Sequence, residues 1–558
     1  MFKDARKVPD GTTIECDICV VGAGFAGIGL ALELDGTSLD VIVLESGGTL
    51  LNKRTQDLYR GKSLNPSHGA LHLYRQRRFG GTSSVWGGRS APYDNLDFEE
   101  RPQVPLSGWP VDRIEMDPYY ERAFQWLDLG TYGETVGGLL PSDRREMIPG
   151  FSSSMVETDR LWLFSLPTKL GRKYRRPMER SSNVTTYLHG NCVDIVGDVD
   201  GKSVKHLDVA TLDDTRFRLK AQHYVLAMGG LEVARLLLAA NSRAAVPLGR
   251  GRDNIGRYYI SHVTGNAGEV QFEPSAGLRW DLEKTIDGVY CRHSLRIEDG
   301  VQGDRALLNF RATLDNPNPA DPRHGNPVLS MMYLLKRFLV RRIPPEYSRE
   351  LSGASPSTHL WHHVKNCIVG LPRLSAFSWK WLAKRILARR KLPSIMLENR
   401  QGIYNLHFDA EQMPNPDSCV YLGPETDELG LPRLVVDWKL SDQDVQSVVE
   451  SAKIVAQELE RTGTGRMEVD EAALAGSVRR SGVGSHHFGL TRMSVDPSTG
   501  VVDRDCRVFG VDNLYIASPS TFPTSGVTNP ALGTMAFAIR LADHLKQIEA
   551  NNEGGTIA

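Results

Sequence analysis

Residues 485–493, "SHHFGLTRM", set two histidines side by side ahead of a glycine. An imidazole titrates near neutral pH, so either ring can serve as a general base. Further along, Asn529 stands directly before Pro530, and an apolar period follows at Ala531, Leu532, Met535, Ala536, Ile539 and Leu545. Asn as a cap and Pro at the first helical position mark a helix start. The free amides and positive dipole end of such a start suit a negative charge. Near the beginning, Gly22, Gly24 and Gly27 make a G-x-G-x-x-G. The first glycine allows a tight turn, the second lets backbone amides approach a pyrophosphate, and the third lets helix and strand pack closely. Glu45 follows, placed to accept hydrogen bonds from a ribose diol and to repel a 2′-phosphate.

These groups need a scaffold. Residues 17–21, "DICVV", read as a buried parallel strand, the glycine turn opens a helix, and "LDVIVLESGG" reads as a second buried strand. That is a βαβ unit at the start of a doubly wound sheet. Residues 50–110 read as loops, and "DPYYERAFQWLDL" as a helix. From about 265 to 440, separated β-like runs such as "VYCRHSLRI", "GIYNLHF" and "PRLVVDWKL" predict a second, largely antiparallel domain. Ser441 reads as the N-cap of a helix carrying Val445, Val448, Val449, Ala452, Val455, Ala456 and Leu459 at helical period. The strand "VDNLYIAS" and the helix from Pro530 return to the first domain. The expected class is α/β, α+β overall. Domain one is split over 12–130, 186–265 and 481–550, with 131–185 connecting and 266–480 forming the second domain around a basic insertion at 331–395.

The 558 residues carry 66 Lys and Arg against 67 Asp and Glu, a net charge of -1. No global basic field exists to gather phosphates, so nucleic acid is not expected as a partner. Seven cysteines in so long a chain do not form a disulfide framework and suit a reducing compartment. The polar start predicts no signal peptide, and no apolar run approaches the roughly 20 residues of a membrane span. A cytoplasmic protein is expected.

The glycine loop does not by itself separate FAD from NAD. "GGTSSVWGG" (80–88), "YVLAMGGLEVARLLL", "NIGRYYISH", "SHHFGLTRM" and "VFGVDNLYIASPSTFPTSGVTNPALGTMAFAIRLADHL" do so together. With them the chain resembles the glucose–methanol–choline oxidoreductases, nearest to the pyranose oxidase and glycoside 3-oxidase or 3-dehydrogenase branch. The resemblance spans nearly the whole chain and is weak at 265–400. It implies a Rossmann-like FAD domain and a discontinuous, mainly antiparallel substrate domain. It implies FAD contacts from Gly22, Gly24, Gly27, Glu45, Gly81, Thr82, Val85, Trp86, Val193, Ala227, Asn529 and Pro530. In its H-x-x-G register the base is His486, three residues before Gly489, and Asn529 is the partner that orients the substrate oxygen. The expected reaction oxidises a secondary hydroxyl of a sugar or glycoside to a ketone, with electrons passed to oxygen, a quinone or another acceptor. Pyranose oxidases tether the flavin through a histidine where this chain has Val85, so dissociable, non-covalent FAD is expected. The same fold also admits a long-chain or sterol alcohol oxidase, a hydroxynitrile-lyase-like protein or a structural flavoprotein.

If 485–493 is a strand, adjacent side chains face opposite sides and only one of His486 and His487 faces the flavin. His487 then reads as a core histidine or a substrate contact. The polar side chains Tyr404, His407, Glu411 and Gln412 are expected to line a sugar pocket. Cys16 and Cys19, three apart on a strand, read as core rather than as a metal pair. His359, His362 and His363 have helical metal spacing but no further ligand nearby, and no metal is expected. Residues 371–392, "LPRLSAFSWKWLAKRILARRKL", mix tryptophan and leucine with seven basic residues. They suit a solvated basic face, or contact with an anionic lipid surface or a partner protein.

Overall fold

The computed structural model describes residues 1–339, 360–397, 399–482 and 485–555. Two sheets carry the architecture. In the first, Thr13–Val21 pairs in parallel with Val41–Glu45 on one side and with Arg216–Leu226 on the other. Val184–Leu188 extends the sheet beyond Val41–Glu45, and Leu514–Ile516 pairs in parallel with the end of Arg216–Leu226. Taken in chain order, these five strands lie third, second, first, fourth, fifth, as in a doubly wound dinucleotide fold. Every residue of Val41–Glu45 is buried, which explains the apolar run Val41–Leu44 ahead of Glu45. The helix Phe25–Leu34 packs against the carboxyl-terminal helix Pro530–Gly555. A side chain at Gly29 would press on the Met535 sulfur at 2.2 Å.

The second sheet runs Gly465–Met467, Val263–Phe272, Ile403–Ala410, Phe310–Asp315, Tyr290–Ile297, Val156–Phe164, Arg89–Ser90. Its pairings are antiparallel. Its last two strands come from early in the chain, so the polypeptide passes into this sheet before completing the first. The helix Asp442–Arg461 opens with a Ser441–Asp444 capping box and buries Val445, Val448, Ala452 and Val455 in the core of this sheet. Among the described residues no helix is long and apolar enough to cross a membrane.

One local expectation fails. Residues 485–487 do not form a strand; the nearest pairing is an isolated bridge between Phe488 and Ile260. Gly489, at φ +78°, turns the chain so closely over Tyr258 that a Cβ would lie 2.1 Å from that carbonyl oxygen. Of the three spaced histidines, His359 lies outside the described residues. His363 is fully buried, stacked on Tyr333 and hydrogen-bonded to Ser330 and the Ala320 carbonyl. Among the described residues no group of three or more His, Cys, Asp or Glu could hold a metal ion.

Candidate active site

One cavity of ≈ 610 Å³ brings the chemistry together. At the glycine loop, Gly22 (φ +106°) and Gly27 are sterically obligatory. A Cβ on Gly27 would sit 1.8 Å from the Gly22 oxygen. Gly24 is different: a Cβ there meets nothing within 4 Å, and the residue caps Phe25–Leu34 with no side-chain hydrogen bond. The first amides of that helix therefore face open cavity, the arrangement that receives an anion. The 80–88 loop closes over this turn, with Gly80 N–H donating to the Ala23 carbonyl at 2.8 Å. Gly81, Thr82, Val85, Trp86, Ala227, Asn529 and Pro530 all line the cavity. The cradle fits a dinucleotide: glycine where backbone approaches backbone, open space where a diphosphate would lie.

Glu45 also lines the cavity, but its carboxylate is already engaged. Its oxygens accept the amides of Ala23 at 2.9 Å and Gly47 at 2.7 Å. Burial raises its pKa while these two hydrogen bonds lower it. Each oxygen keeps a further lone pair, so Glu45 both braces the glycine turn and can accept from a diol. Val193 is not on the wall. It is buried in the core, and its neighbours Gly190, Asn191 and Cys192 line the cavity instead. Adjacent residues of a strand face opposite ways, and that places Val193 behind Cys192.

His486 and His487 both line the cavity. His486 Nδ1 lies 2.9 Å from His262 Nδ1, and His262 Nε2 lies 3.0 Å from the Ser525 carbonyl. A carbonyl only accepts, so His262 carries its proton on Nε2. Burial pulls the His262 pKa down and keeps that ring neutral, leaving its Nδ1 to accept from His486 Nδ1–H. His486 then presents a lone pair on Nε2, which makes no protein hydrogen bond among the described residues. Its pKa falls well below the usual histidine value, through burial first and then through His262 and Arg89. The second relay has the same form. His68 Nδ1 donates to the Gly69 carbonyl, His68 Nε2 accepts from the Tyr259 hydroxyl, and Tyr259 accepts from His487 Nδ1 at 2.7 Å. Each imidazole is thus fixed by a chain of hydrogen bonds that ends on a backbone carbonyl, His486 through His262 and His487 through Tyr259 and His68.

Asn529 does not work alone. Its amide donates to the Arg89 carbonyl at 3.0 Å, and its carbonyl oxygen lies 3.4 Å from the Arg89 guanidinium. Arg89 lines the cavity, stacks over Trp162 at 4.6 Å and pairs with Asp409 at 2.8 Å. Burial alone would raise the Asp409 carboxyl, but Arg89, His407 and His262 outweigh it and hold it at about 2. Arg89, His262 and Tyr259 escape sequence reasoning because no spacing marks them. Their only signal is a polar residue inside or beside a motif, as in "WGGR" and "YYISH".

Tyr404, His407, Glu411 and Gln412 do not line the cavity. Tyr404 is buried against Trp280 and Phe272 in the second core. His407 sits on Ile403–Ala410, paired across to Asn266 and Thr313. Glu411 is fully buried in a two-armed pair with Arg101, both contacts at 2.7 Å. The Gln412 carbonyl oxygen accepts from Ser261 N–H and the Trp438 indole, so it fastens the backbone beside His262. Glu411 and Gln412 are thus spent on partners distant in sequence, and a buried polar group left without one would be costly.

The chain is similar to proteins named as oxidases and dehydrogenases. Residues 414–538 match the family model described as GMC oxidoreductase. The chain is 23% identical to a paromamine 6'-oxidase of Streptomyces fradiae, over 94% of this chain and 90% of that one. A shorter stretch, 25% of this chain and 26% of the other, is 28% identical to a C-glycoside 3-oxidase of Microbacterium trichothecenolyticum. In fold it is similar to the crystal structure of pyridoxine 4-oxidase from Mesorbium loti, with a TM-score of 0.56, 17% identity, and coverage of 95% and 99% of the two chains. The fold is mixed α/β, and the matched domain and the named relatives make the chain an oxidoreductase. Residues 414–538 carry a GMC oxidoreductase domain, and along nearly its whole length the chain is similar to proteins named as oxidases.

Proposed function

We propose that this chain oxidises a secondary hydroxyl of a sugar or glycoside to a ketone, with His486 as the base. The observation that carries the reading is the His486 tautomer, an Nε2 lone pair fixed by His262 inside the cavity that also holds the glycine cradle. FAD, when bound, supplies the hydride acceptor. His486 Nε2 takes the hydroxyl proton as the carbinol C–H bond breaks. The Asn529 carboxamide and the Arg89 guanidinium, joined at 3.4 Å, hold the substrate oxygen. The first turn of Pro530–Gly555 gives its amides and dipole to the negative charge that develops opposite the carbinol. His487 stands as a second acceptor for a neighbouring hydroxyl, a feature useful for a polyol. Gly22, Gly24, Gly27, Glu45, Gly81, Thr82, Trp86 and Ala227 hold FAD, and Val85, whose isopropyl group has no nucleophilic atom, leaves it untethered.

The relatives named above as oxidases of paromamine and of C-glycosides support a sugar-like substrate. Electrons leave to oxygen, a quinone or another acceptor. The test is anaerobic addition of monosaccharides, disaccharides and aryl glycosides to the holoprotein while the flavin band near ~450 nm is followed. Bleaching with a sugar supports the reading. Bleaching only with long-chain or sterol alcohols, or no bleaching by any alcohol, overturns it.

A further inference from the structure

Residues 360–397 carry eight Lys and Arg and no Asp or Glu. They form two short helices, Leu360–Val369 and Leu371–Trp381, followed by the π-helical turn Leu382–Leu387. One side of this stretch is anchored. Leu374, Phe377 and Ile395 pack on Val328, Leu329 and Leu397, a small cluster separate from both main cores. Arg385 and Arg390 tie the far end down by donating to backbone carbonyls, Arg390 to those of Asp128 and Phe164.

The outer side is apolar as well. Trp361 is 68% exposed and Trp379 71% exposed, and Ile368, Val369, Leu371 and Leu387 stand out to a similar degree. Trp361 and Ile368 are two turns apart on one face of their helix. Around them Lys365, Arg373, Lys380, Lys384, Arg389 and Lys391 are exposed. Among the described residues none of these six makes an ion pair. Asp281 lies near enough to feel Lys380 and Lys384 without bridging either. A helix pair that is apolar on both sides is normally enclosed, and contiguous exposed apolar surface marks a site of contact.

We propose that this face docks on an anionic phospholipid surface. The tryptophans and leucines seat at the headgroup boundary, and the lysines and arginines, whose stems extend past the apolar ring, meet the lipid phosphates. The charge pattern selects lipid over protein. A partner protein would have to match a basic stretch that carries no carboxylate of its own, with Asp281 near Lys380 and Lys384 beside it, whereas an anionic leaflet supplies that complement everywhere. Neither helix is long enough to span, so association is peripheral and reversible. The stretch rejoins the fold beside the cavity wall, where Leu392 packs on the cluster of Ala91 and Trp162 and Arg89 stacks over Trp162.

The test is flotation of the full-length holoprotein with phosphatidylcholine vesicles, with and without phosphatidylglycerol, at low and high salt. Protein should float with the phosphatidylglycerol vesicles at low salt, be released by high salt, and show a blue shift in tryptophan emission. Exchanging Trp361 and Trp379 for Ser, or Lys380, Lys384 and Arg389 for Glu, should weaken binding by about tenfold or more while the flavin spectrum stays unchanged. These side chains are exposed and none lines the cavity, so folding is preserved and flavin absorbance verifies it. Three results overturn the proposal. One is no flotation with any vesicle at low salt. Another is equal binding to phosphatidylcholine alone. The third is light scattering that shows a dimer dissociated by the Trp361 and Trp379 exchanges, which would make the face a contact between copies.

Discussion

His262→Ala is the change that probes the site's logic most sharply. In the structure, His262 accepts the Nδ1 proton of His486 at 2.9 Å and passes its own Nε2 proton to the Ser525 carbonyl. Without it, the base keeps its imidazole but loses the partner that fixes the tautomer. An unpaired donor in a buried site costs about 1–3 kcal/mol, or roughly tenfold to a hundredfold in the rate of flavin reduction. The pH profile must move as well. His486 acts only when neutral, so activity falls as pH drops through its pKa. Burial, and after it His262, hold that pKa well below the usual value, so in the parent protein reduction should stay flat as pH falls through 6.5. Removing His262 leaves burial in place, so the acid limb should shift upward while remaining below the ordinary histidine range. Gln at 262, whose amide oxygen can accept the same proton, should recover part of the rate. Stopped-flow reduction under anaerobic conditions measures all three effects. A reduction rate and an acid limb that both match the parent would refute the relay.

Other consequences follow from the same geometry. Gly27→Ala drives a Cβ into the Gly22 oxygen, so the purified protein should carry little flavin; a flavin-to-protein ratio equal to the parent contradicts the cradle. Asp409→Asn removes a carboxylate held at about 2, below its unfolded value, by Arg89. A depressed acid stabilises the fold above its unfolded pKa and loses that contribution as pH falls toward 2. The loss at pH 7 should therefore be about 2 kcal/mol in denaturant unfolding and should vanish in acid. A difference that stays constant from pH 7 to pH 3 argues against the pairing. Because Val85 offers no attachment atom, acid precipitation should release the yellow colour to the supernatant, and colour retained in the pellet would show a covalent flavin.

What the sequence made legible is what depends on local physics. Gly22, Gly24 and Gly27 announce themselves because a tight turn, a phosphate approach and a helix contact lie within six residues of one another. Asn529 and Pro530 do so because helix starts are set by the residues that form them. The cavity's remaining polar wall was not legible. Glu411 looks like a pocket residue until Arg101, 310 positions away, occupies both its oxygens. His262 and Arg89 look like strand and loop residues until tertiary contact sets them beside His486 and Asn529. The strand assumed around His486 and His487 does not form, and Gly489 turns left-handed over Tyr258 just after them.

The most direct test of the account is single-turnover flavin reduction by a bleaching sugar, deuterated at the reacting carbinol carbon, in the parent protein and in His486→Ala. The account predicts a primary isotope effect in the parent and a reduction rate roughly a hundredfold or more lower in the variant. A variant that bleaches as fast as its parent would contradict the claim that His486 takes the proton.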